Sequence, residues 1–125
     1  MAQSANDLVT AFVHEFDVQA PDAGKLGSYF ADDAVYLNVP MQPVTGKAAI
    51  QKVLGGMAGS MKSAGWDVVH QVASGDVVMN ERIDRFQVGE KSVAIRVCGV
   101  FEIKDGKIAA WRDYFDLAEW QNQMK

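Results

Sequence analysis

The sequence has a single cysteine, Cys98, among its 125 residues. One cysteine excludes an intramolecular disulfide framework and a Cys-x-x-Cys metal motif. Because Cys98 lies within an apolar run with the pattern of a strand, we expect it to be a small, buried hydrophobic residue. The two histidines, His14 and His70, lie far apart and lack the His-Glu-x-x-His spacing of a zinc site, and no glycine-rich phosphate loop follows a predicted strand. The sequence therefore predicts neither a metal nor a cofactor.

Basic residues are also few in this chain. It has 12 Lys and Arg residues against 16 Asp and Glu residues, and its formal net charge is -4 at pH 7. Nucleic acids and acidic membrane surfaces bind clusters of basic residues, and no such cluster occurs, so we expect neither as a partner. No apolar run approaches the length of a membrane span, and the N-terminus lacks the basic and apolar regions of a signal peptide. We therefore expect a cytoplasmic protein.

What the sequence does contain is typical of one globular domain over residues 1–125, with 49% hydrophobic and 22% charged residues. Its first half predicts three helices. Residues 4–7 resemble a capping box at the start of the first helix. The second helix starts at Pro21 and ends near Asp33, and Thr45 caps the third. The apolar residues at helical spacing are Leu8, Val9, Phe12, Val13 and Phe16, then Leu26, Tyr29 and Phe30, and then Ile50, Val53, Leu54 and Met57.

The strands are predicted by a change of hydrophobic period. Residues 34–39 form a first strand between the second and third helices. From Trp66 onward the period is that of strands, and turn signals such as Asp105-Gly106 separate the extended runs. The four runs cover residues 66–73, 76–88, 92–104 and 108–116, and a short helix over residues 117–123 follows them. The pattern predicts an α+β domain in which N-terminal helices pack on a mostly antiparallel sheet.

The stretch from Asn80 to Phe86 is an unusual strand, because both of its faces carry charge. The side chains of a strand alternate between its two faces, so Arg82 and Asp84 lie on the same face and are spaced to form an ion pair. On an exposed face such a pair is worth only about 0–1 kcal/mol. A surface ion pair is therefore one interpretation of this stretch.

Asp113 stands in an otherwise apolar row of the last predicted strand, between Trp111 and Phe115. Such an aspartate is either exposed at the end of the strand or buried and paired, because an unpaired buried carboxylate is unfavourable. Arg82 is a candidate partner. Two carboxylates, Asp84 and Asp113, that share one guanidinium would differ in protonation, which lets one site hold a base and an acid. The alternative is a structural Asp-Arg-Asp bridge between strands.

Three segments resemble, in order and spacing, the motifs of limonene epoxide hydrolase and its relatives. They are Y-L-N at residues 36–38, N-E-R-I-D at residues 80–84 and G-K-I-A-A-W-R-D-Y-F-D at residues 106–116. These enzymes belong to a nuclear-transport-factor-like, or polyketide-cyclase-like, superfamily. The resemblance implies N-terminal helices packed on a cone-shaped, strongly curved, mostly antiparallel sheet, with a pocket inside the cone. It also implies a homodimer as the usual assembly.

The same resemblance implies an epoxide hydrolase that adds water to a lipophilic epoxide and gives a vicinal diol. Asp84 would take a proton from a water molecule that Tyr36 and Asn38 hold. Asp113 would protonate the epoxide oxygen, and Arg82 would lie between the two carboxylates. The reaction needs a base because water is a poor nucleophile, and it needs an acid because an alkoxide is a poor leaving group. A positioned base and a positioned acid each raise the rate roughly 10²–10⁴-fold. Used together, they allow a single displacement without a covalent enzyme intermediate.

A site for a lipophilic epoxide also requires an apolar lining. The candidates for substrate binding are Phe115, Phe86, Leu54, Met57 and Phe101. Each of them is large and apolar, and each has an alternative role as a core residue, since one sequence does not fix which face of a strand looks into the cone.

Two other functions fit the same pattern. An isomerase or cyclase of the superfamily, like ketosteroid isomerase or a polyketide cyclase, would move a proton with one aspartate, and the fold alone does not exclude it. Carbon-acid chemistry uses an oxyanion donor, whereas this sequence offers an arginine between two carboxylates, and this difference favours epoxide hydrolysis. The other alternative is a non-catalytic module that binds a small ligand or a protein, in which the Arg-Asp cluster is structural.

Overall fold

The computed structural model describes residues 4–39 and 41–125, which form one curved, six-stranded mixed sheet with helices. The strands are β1 (Phe30–Val39), β2 (Val44–Thr45), β3 (Lys62–Ser74), β4 (Val77–Val88), β5 (Lys91–Lys104) and β6 (Lys107–Phe115). They lie in the order β2-β1-β6-β5-β4-β3, and every neighbouring pair is antiparallel except β1 and β6, which are parallel. The predicted α+β class is confirmed.

The helices are short, and most of them begin at a side-chain cap. They are α1 (Ala5–His14), α2 (Ala23–Gly27), α3 (Lys47–Ser60) and α4 (Leu117–Gln123), and a 3₁₀ turn, Glu15–Asp17, follows α1. Ser4, Asp22 and Asp116 cap α1, α2 and α4, and each accepts a hydrogen bond from a backbone N–H of the first turn at 2.9–3.1 Å. Over the ranges that the structure describes, no helix has the length and apolar character needed to cross a membrane.

α2 is shorter than the sequence predicts, and β1 is longer. The helix ends at Gly27 instead of near Asp33. Phe30 is buried, and its register partner is Ile108 of β6, so the strand begins four residues before the predicted start at residue 34. Pairing in the sheet therefore overrides the helical spacing of the sequence at this point.

Two other boundaries of the sequence prediction are wrong. Thr45 does not cap α3, because it pairs with Val35 in the sheet and Gly46 takes the cap position with φ 97°. Glycine adopts a positive φ without steric strain. β3 starts at Lys62 instead of Trp66. A register shift between Ser63 and Trp66 interrupts the alternation of buried and exposed residues at the start of this strand. The hydrophobic pattern therefore does not identify these first residues as part of the strand.

Cys98 is exposed, which corrects the prediction that it is buried. In β5 the buried residues Val97 and Gly99 face inward, so Cys98 between them faces outward. Its cross-strand partners on the outer face are Glu81 and Tyr114. The apolar run around Cys98 mixes residues of both faces, and hydrophobicity alone does not tell them apart.

The core lies against the inner face of the sheet, and Phe12 of α1 is at its centre. The ring of Phe12 is 5.0–6.2 Å from five other aromatic rings, all in edge-to-face arrangements. These rings belong to Phe16, Tyr29, Phe30, Phe101 and Trp111. Trp111 is fully buried and connects this aromatic core to the inner face of β6.

Phe12→Ala should destabilise the protein by about 3–5 kcal/mol, because it removes a fully buried ring and leaves a cavity among its neighbours. Val72→Ala is the matched control. Val72 is 66% exposed, and its truncation should cost less than about 1 kcal/mol. Urea unfolding of both variants measures the difference. Equal losses would contradict the central position of Phe12.

Candidate active site

The inner face of β4 carries the charged residues that the sequence singles out. Asn80, Arg82, Asp84 and Phe86 are all buried on this face, as strand alternation predicts, whereas Glu81 is exposed on the other. Arg82 is 0% exposed and Asp84 is 4% exposed. The pair is therefore not an ion pair on an exposed surface.

Arg82 lies between two carboxylates, and all five of its N–H groups have acceptors. Nε donates to Oδ1 of Asp84 at 3.0 Å, and Nη2 donates to Oδ2 of Asp84 at 2.9 Å. Nη2 also donates to Oδ2 of Asp113 at 2.8 Å, and Nη1 donates to Oδ1 of Asp113 at 3.2 Å. Nη1 also donates to Oδ1 of Asn80 at 3.0 Å. The structure thus brings Asp84 and Asp113 together on one guanidinium.

Burial and charge act against each other on the protonation of this cluster. Burial lowers the pKa of Arg82, but the charges of Asp113 and Asp84 raise it by more, and the guanidinium stays protonated. For Asp84, burial raises the pKa, the charge of Arg82 lowers it and the charge of Asp113 raises it, with the result that its pKa is about 6. Burial and the charge of Asp113 thus favour the protonated form of Asp84, whereas Arg82 favours its ionised form. Such a cluster can hold an acid and a base side by side.

Tyr36 and Asn38 reach the cluster from β1, which pairs directly with β6. Asn38 is the register partner of Asp113, and Tyr36 is the partner of Trp111. The rings of Tyr36 and Trp111 are stacked, with 4.1 Å between their centroids. Burial and then the charge of Asp113 raise the pKa of Tyr36, so its hydroxyl keeps its proton. Trp111 donates its indole N–H to Oδ1 of Asp113 at 2.7 Å.

A cavity of about 430 Å³ opens against this cluster. Its polar wall includes Tyr36, Asn38, Asp84 and Asp113, whereas Arg82 lies behind the carboxylates and does not line it. The larger part of the wall is apolar, as a site for a lipophilic ligand requires. Within the described ranges, no group of three or more His, Cys, Asp or Glu side chains is arranged to hold a metal ion.

Three of the five residues predicted to bind substrate line this cavity, and two do not. Met57, Phe86 and Phe115 are part of its wall. Leu54 and Phe101 lie outside the wall, which corrects the prediction for these two positions. Both belong to the core instead, at 1% and 0% exposure. Large apolar side chains on strands and helices are buried far more often than they contact ligands.

The rest of the cavity wall lies outside the sequence prediction. It consists of Met41, Gln42, Val44, Val53, Met61, Trp66, Ile95, Val97, Leu117 and Trp120. For β5 a signal is present in the sequence. Ile95 and Val97 alternate with exposed residues, and they are the register partners of Asp84 and Arg82. Met41 comes from a segment outside the helices and strands, where no hydrophobic period marks the inward residues.

Gly99 of β5 is a further residue of the site that the sequence prediction does not include. In the register it lies between Asn80 of β4 and Asp113 of β6. A Cβ at this position would lie 2.5 Å from Nη1 of Arg82 and 2.8 Å from Oδ1 of Asp113. A residue without a side chain therefore leaves room for the guanidinium. A glycine inside a strand is a known sign of such close approach, and this sign is present in the sequence.

The chain is similar to known epoxide hydrolases in sequence and in structure. Residues 3–125 match the family model described as the limonene-1,2-epoxide hydrolase catalytic domain. Epoxide hydrolase EphG from Mycobacterium tuberculosis is 37% identical over 111 residues, which cover 87% of this chain and 71% of that protein. A solved structure of an M. tuberculosis LEH-like epoxide hydrolase is 33% identical, with a TM-score of 0.80 over 95% of this chain and 87% of that chain.

A more distant structure shares the fold. It is a protein from Catenulispora acidiphila DSM 44928 with a ketosteroid isomerase-like fold, in complex with trimethylamine. It is 18% identical, with a TM-score of 0.82, and the match covers 94% of this chain and 91% of that chain. At this level of identity the likeness concerns the fold alone.

Gly99→Ala should displace Arg82 and destabilise the protein by about 1–3 kcal/mol, the usual cost of overpacking a core. Gly56→Ala in α3 is the matched control, because a Cβ there would meet no atom within 4 Å. Alanine at that helical position should stabilise the protein by up to about 1 kcal/mol. Thermal unfolding of both variants checks that the two changes in stability have opposite signs. A Gly99→Ala protein as stable as the unsubstituted one would contradict the close approach of the guanidinium.

Proposed function

Because the chain belongs to the limonene-1,2-epoxide hydrolase family, we propose that it adds water to a lipophilic epoxide and gives a vicinal diol by one-step general acid/base catalysis. One observation carries this proposal. Arg82 is buried between Asp84 and Asp113, and these two carboxylates line a mostly apolar cavity. Opening an epoxide at neutral pH requires a base for water and an acid for the oxygen at the same time, and the two carboxylates are suited to these roles.

The geometry favours the reverse of the roles that the sequence resemblance implies for Asp84 and Asp113. A water molecule held by Tyr36 and Asn38 would lie beside β1, and β6, which carries Asp113, is the strand next to β1. Asp84 lies on β4, with β6 and β5 between it and β1. We therefore assign the base to Asp113 and the acid to Asp84.

The hydrogen bonds of the two carboxylates support the same assignment. Asp113 accepts three hydrogen bonds, two from Arg82 and one from Trp111, whereas Asp84 accepts two, both from Arg82. A donated hydrogen bond favours the ionised form of a carboxylate, so the surroundings of Asp113 suit a base. Burial raises the pKa of Asp84 to about 6, which suits an acid that works near neutral pH.

In the proposed step, the water held by Tyr36 and Asn38 loses a proton to Asp113 while its oxygen attacks an epoxide carbon. The bond between that carbon and the epoxide oxygen breaks, and the oxygen takes the proton of Asp84. The diol then leaves with Asp113 protonated and Asp84 ionised. One proton must return from Asp113 to Asp84, directly or through solvent, before the next turnover. Arg82 contacts both carboxylates, and its charge stabilises the one that is ionised.

The competing functions have less support. An isomerase or cyclase moves a proton on carbon and needs no second carboxylate on the same arginine, and the related structure with a ketosteroid isomerase-like fold supports the fold alone. A purely structural Asp-Arg-Asp bridge, or a non-catalytic binding module, would not require two carboxylates to line a cavity. The homodimer and the cytoplasmic location stay predictions.

Asp84→Asn and Asp113→Asn should each lower diol formation from a cyclic lipophilic epoxide by at least ~100-fold, because each removes one proton-transfer group. Asp67→Asn is the matched control. Asp67 is exposed and pairs with Arg85 outside the cavity wall, so its rate should equal that of the unsubstituted protein. Gas chromatography of the diol measures the rates, and circular dichroism checks the fold. Unchanged rates in both site variants would remove the proposal.

The same two variants separate the roles when azide is added, because azide attacks an epoxide without losing a proton. In Asp113→Asn, which lacks the base, azide should restore ring opening and give an azido alcohol. In Asp84→Asn, which lacks the acid, it should not. Rescue of Asp84→Asn alone would instead assign the base to Asp84, as the resemblance implies.

The activity should fall as the pH rises through the pKa of Asp84. An acid works only while it is protonated, and the pKa of Asp84 is raised to about 6. kcat/KM, which reports groups of the free enzyme, should therefore decrease up to about tenfold per pH unit above that value. A profile of kcat/KM over about pH 5–9 shows whether kcat/KM falls or rises with pH. A rise of kcat/KM through the same range would indicate that Asp84 is the base.

A further inference from the structure

A chain of hydrogen bonds leads from the guanidinium of Arg82 to helix α1. Nη1 of Arg82 donates to Oδ1 of Asn80 at 3.0 Å, and Nδ2 of Asn80 donates to Oε1 of Gln71 at 3.1 Å. Nε2 of Gln71 donates to Oδ1 of Asn6 at 2.8 Å and to Oγ1 of Thr10 at 2.9 Å. Gln71 is the register partner of Asn80 in the pairing of β3 with β4. Two amide side chains therefore connect the buried arginine to α1.

The two ends of this chain determine which way each amide points. An amide side chain has nearly the same shape when it is turned over, so its direction follows from its partners. A guanidinium can only donate, and a backbone carbonyl can only accept. The backbone carbonyl of Asn6 accepts from Oγ1 of Thr10 at 2.9 Å and from Nε2 of Gln71 at 3.3 Å. All donors between the guanidinium and this carbonyl thus point toward α1, and an amide turned over would bring donor against donor or acceptor against acceptor.

The contact between Arg82 and Asp113 is the one that a shift of Asn80 would affect first. Asn80 is buried, and a buried amide nitrogen requires an acceptor, which Gln71 supplies. Nη1 of Arg82 donates to both Asn80 and Asp113. Its bond to Asp113, at 3.2 Å, is the longest of the five hydrogen bonds of the guanidinium. The position of Nη1 therefore depends on where the oxygen of Asn80 is held.

We propose that Gln71 is a positioning residue for the reaction, which holds the oxygen of Asn80 toward Arg82 and so fixes the guanidinium against Asp113. The inference rests on the proposed function, because that function gives Asp113 the role of the base. Gln71 lies outside the cavity wall and acts through Asn80 and Arg82. Side chains whose own hydrogen-bond partners are fixed hold a reacting group in its productive geometry.

Two replacements of Gln71 separate orientation from stability. Gln71→Met removes the acceptor of Asn80. It should lower kcat by about tenfold or more with little change in KM, since a misplacement of about 1 Å can cost about 100-fold in rate. Gln71→Glu keeps an oxygen for Asn80 but loses the donor toward α1, so it should keep most of kcat while its melting temperature falls. The rates are compared at the pH optimum of each variant, because the added charge of Gln71→Glu shifts the pKa of nearby carboxyl groups.

Two controls test whether Gln71 acts through Asn80. Ser4 caps α1 by accepting from the backbone N–H of Asp7, outside the hydrogen-bond chain. Ser4→Ala should therefore lower the melting temperature and leave kcat unchanged. Asn80→Ala should lower kcat by itself, because Asn80 contacts Arg82. Adding Gln71→Met to Asn80→Ala should then lower kcat little further, as expected for two residues that act in series.

Nuclear magnetic resonance tests the same role without turnover. Arginine labelled with ¹⁵N gives the signals of four guanidinium groups. The side chains of Arg85, Arg96 and Arg112 reach solvent, whereas that of Arg82 does not, so the N–H signals that exchange most slowly belong to Arg82. In Gln71→Met one hydrogen of Nη1 loses its fixed acceptor, and its signal should move upfield and exchange faster. Gln71→Glu should leave this signal in place.

The outcomes separate this inference from the proposed function. If the unsubstituted protein forms no diol, the proposed function fails and the role of Gln71 in the reaction fails with it. If it forms diol, but Gln71→Met keeps its kcat, only the role of Gln71 is overturned. A kcat that falls in step with the melting temperature in Gln71→Glu and Ser4→Ala as well, with the Arg82 signals of Gln71→Met unmoved, would overturn it in the same way.

Discussion

The buried ion cluster of Arg82, Asp84 and Asp113 is the constraint on which the rest of the structure depends. Removing one partner of a buried ion pair costs about 3–5 kcal/mol, so the guanidinium requires both carboxylates at hydrogen-bond distance. They come from β4 and β6, which are separated by β5. Because Gly99 of β5 has no side chain, the guanidinium of Arg82 can cross β5 at this residue and reach Asp113 on β6. The side chain of Arg82 therefore constrains which residues can lie on the inner faces of β4, β5 and β6.

The surroundings that make this cluster stable also make its two carboxylates different. Arg82 donates hydrogen bonds to both carboxylates, but Asp113 also accepts one from the indole N–H of Trp111. Asp113 is the register partner of Asn38 of β1, whereas Asp84 lies on β4, which is separated from β1 by β6 and β5. Two identical side chains on one guanidinium thus differ by one hydrogen bond and by their distance from the polar residues of β1. Differences of this kind can separate the protonation of two carboxylates in one site, and the roles that we propose for Asp84 and Asp113 rest on them.

The sequence was sufficient where the relevant physics is local. Alternation along a strand places Arg82 with Asp84 on one face, and the lone carboxylate between apolar neighbours limits Asp113 to two states, exposed at the end of the strand or buried and paired. It was not sufficient where the answer depends on pairing between distant segments. Alternation does not say which face of β5 is inward, so the sequence predicts a buried Cys98, which in fact faces outward. Phe101 does face inward, but it lies in the core and not at the cavity wall, and alternation does not contain its position along the strand. The roles that we propose for the two aspartates depend on β6 lying next to β1, which no local pattern contains.

The arginine itself contributes geometry more than acid or base chemistry. Two carboxylates close together would share one proton even without it, because they repel each other when both are ionised. They would, however, be free to turn away from each other and from the cavity. The planar guanidinium presents five donors in a fixed fork, whereas a lysine would offer a single flexible ammonium group. Because all five donors are used, the fork sets the orientation of both carboxylates at once. The chemistry that we propose for this site therefore depends on the shape of one buried side chain and on the glycine that makes room for it.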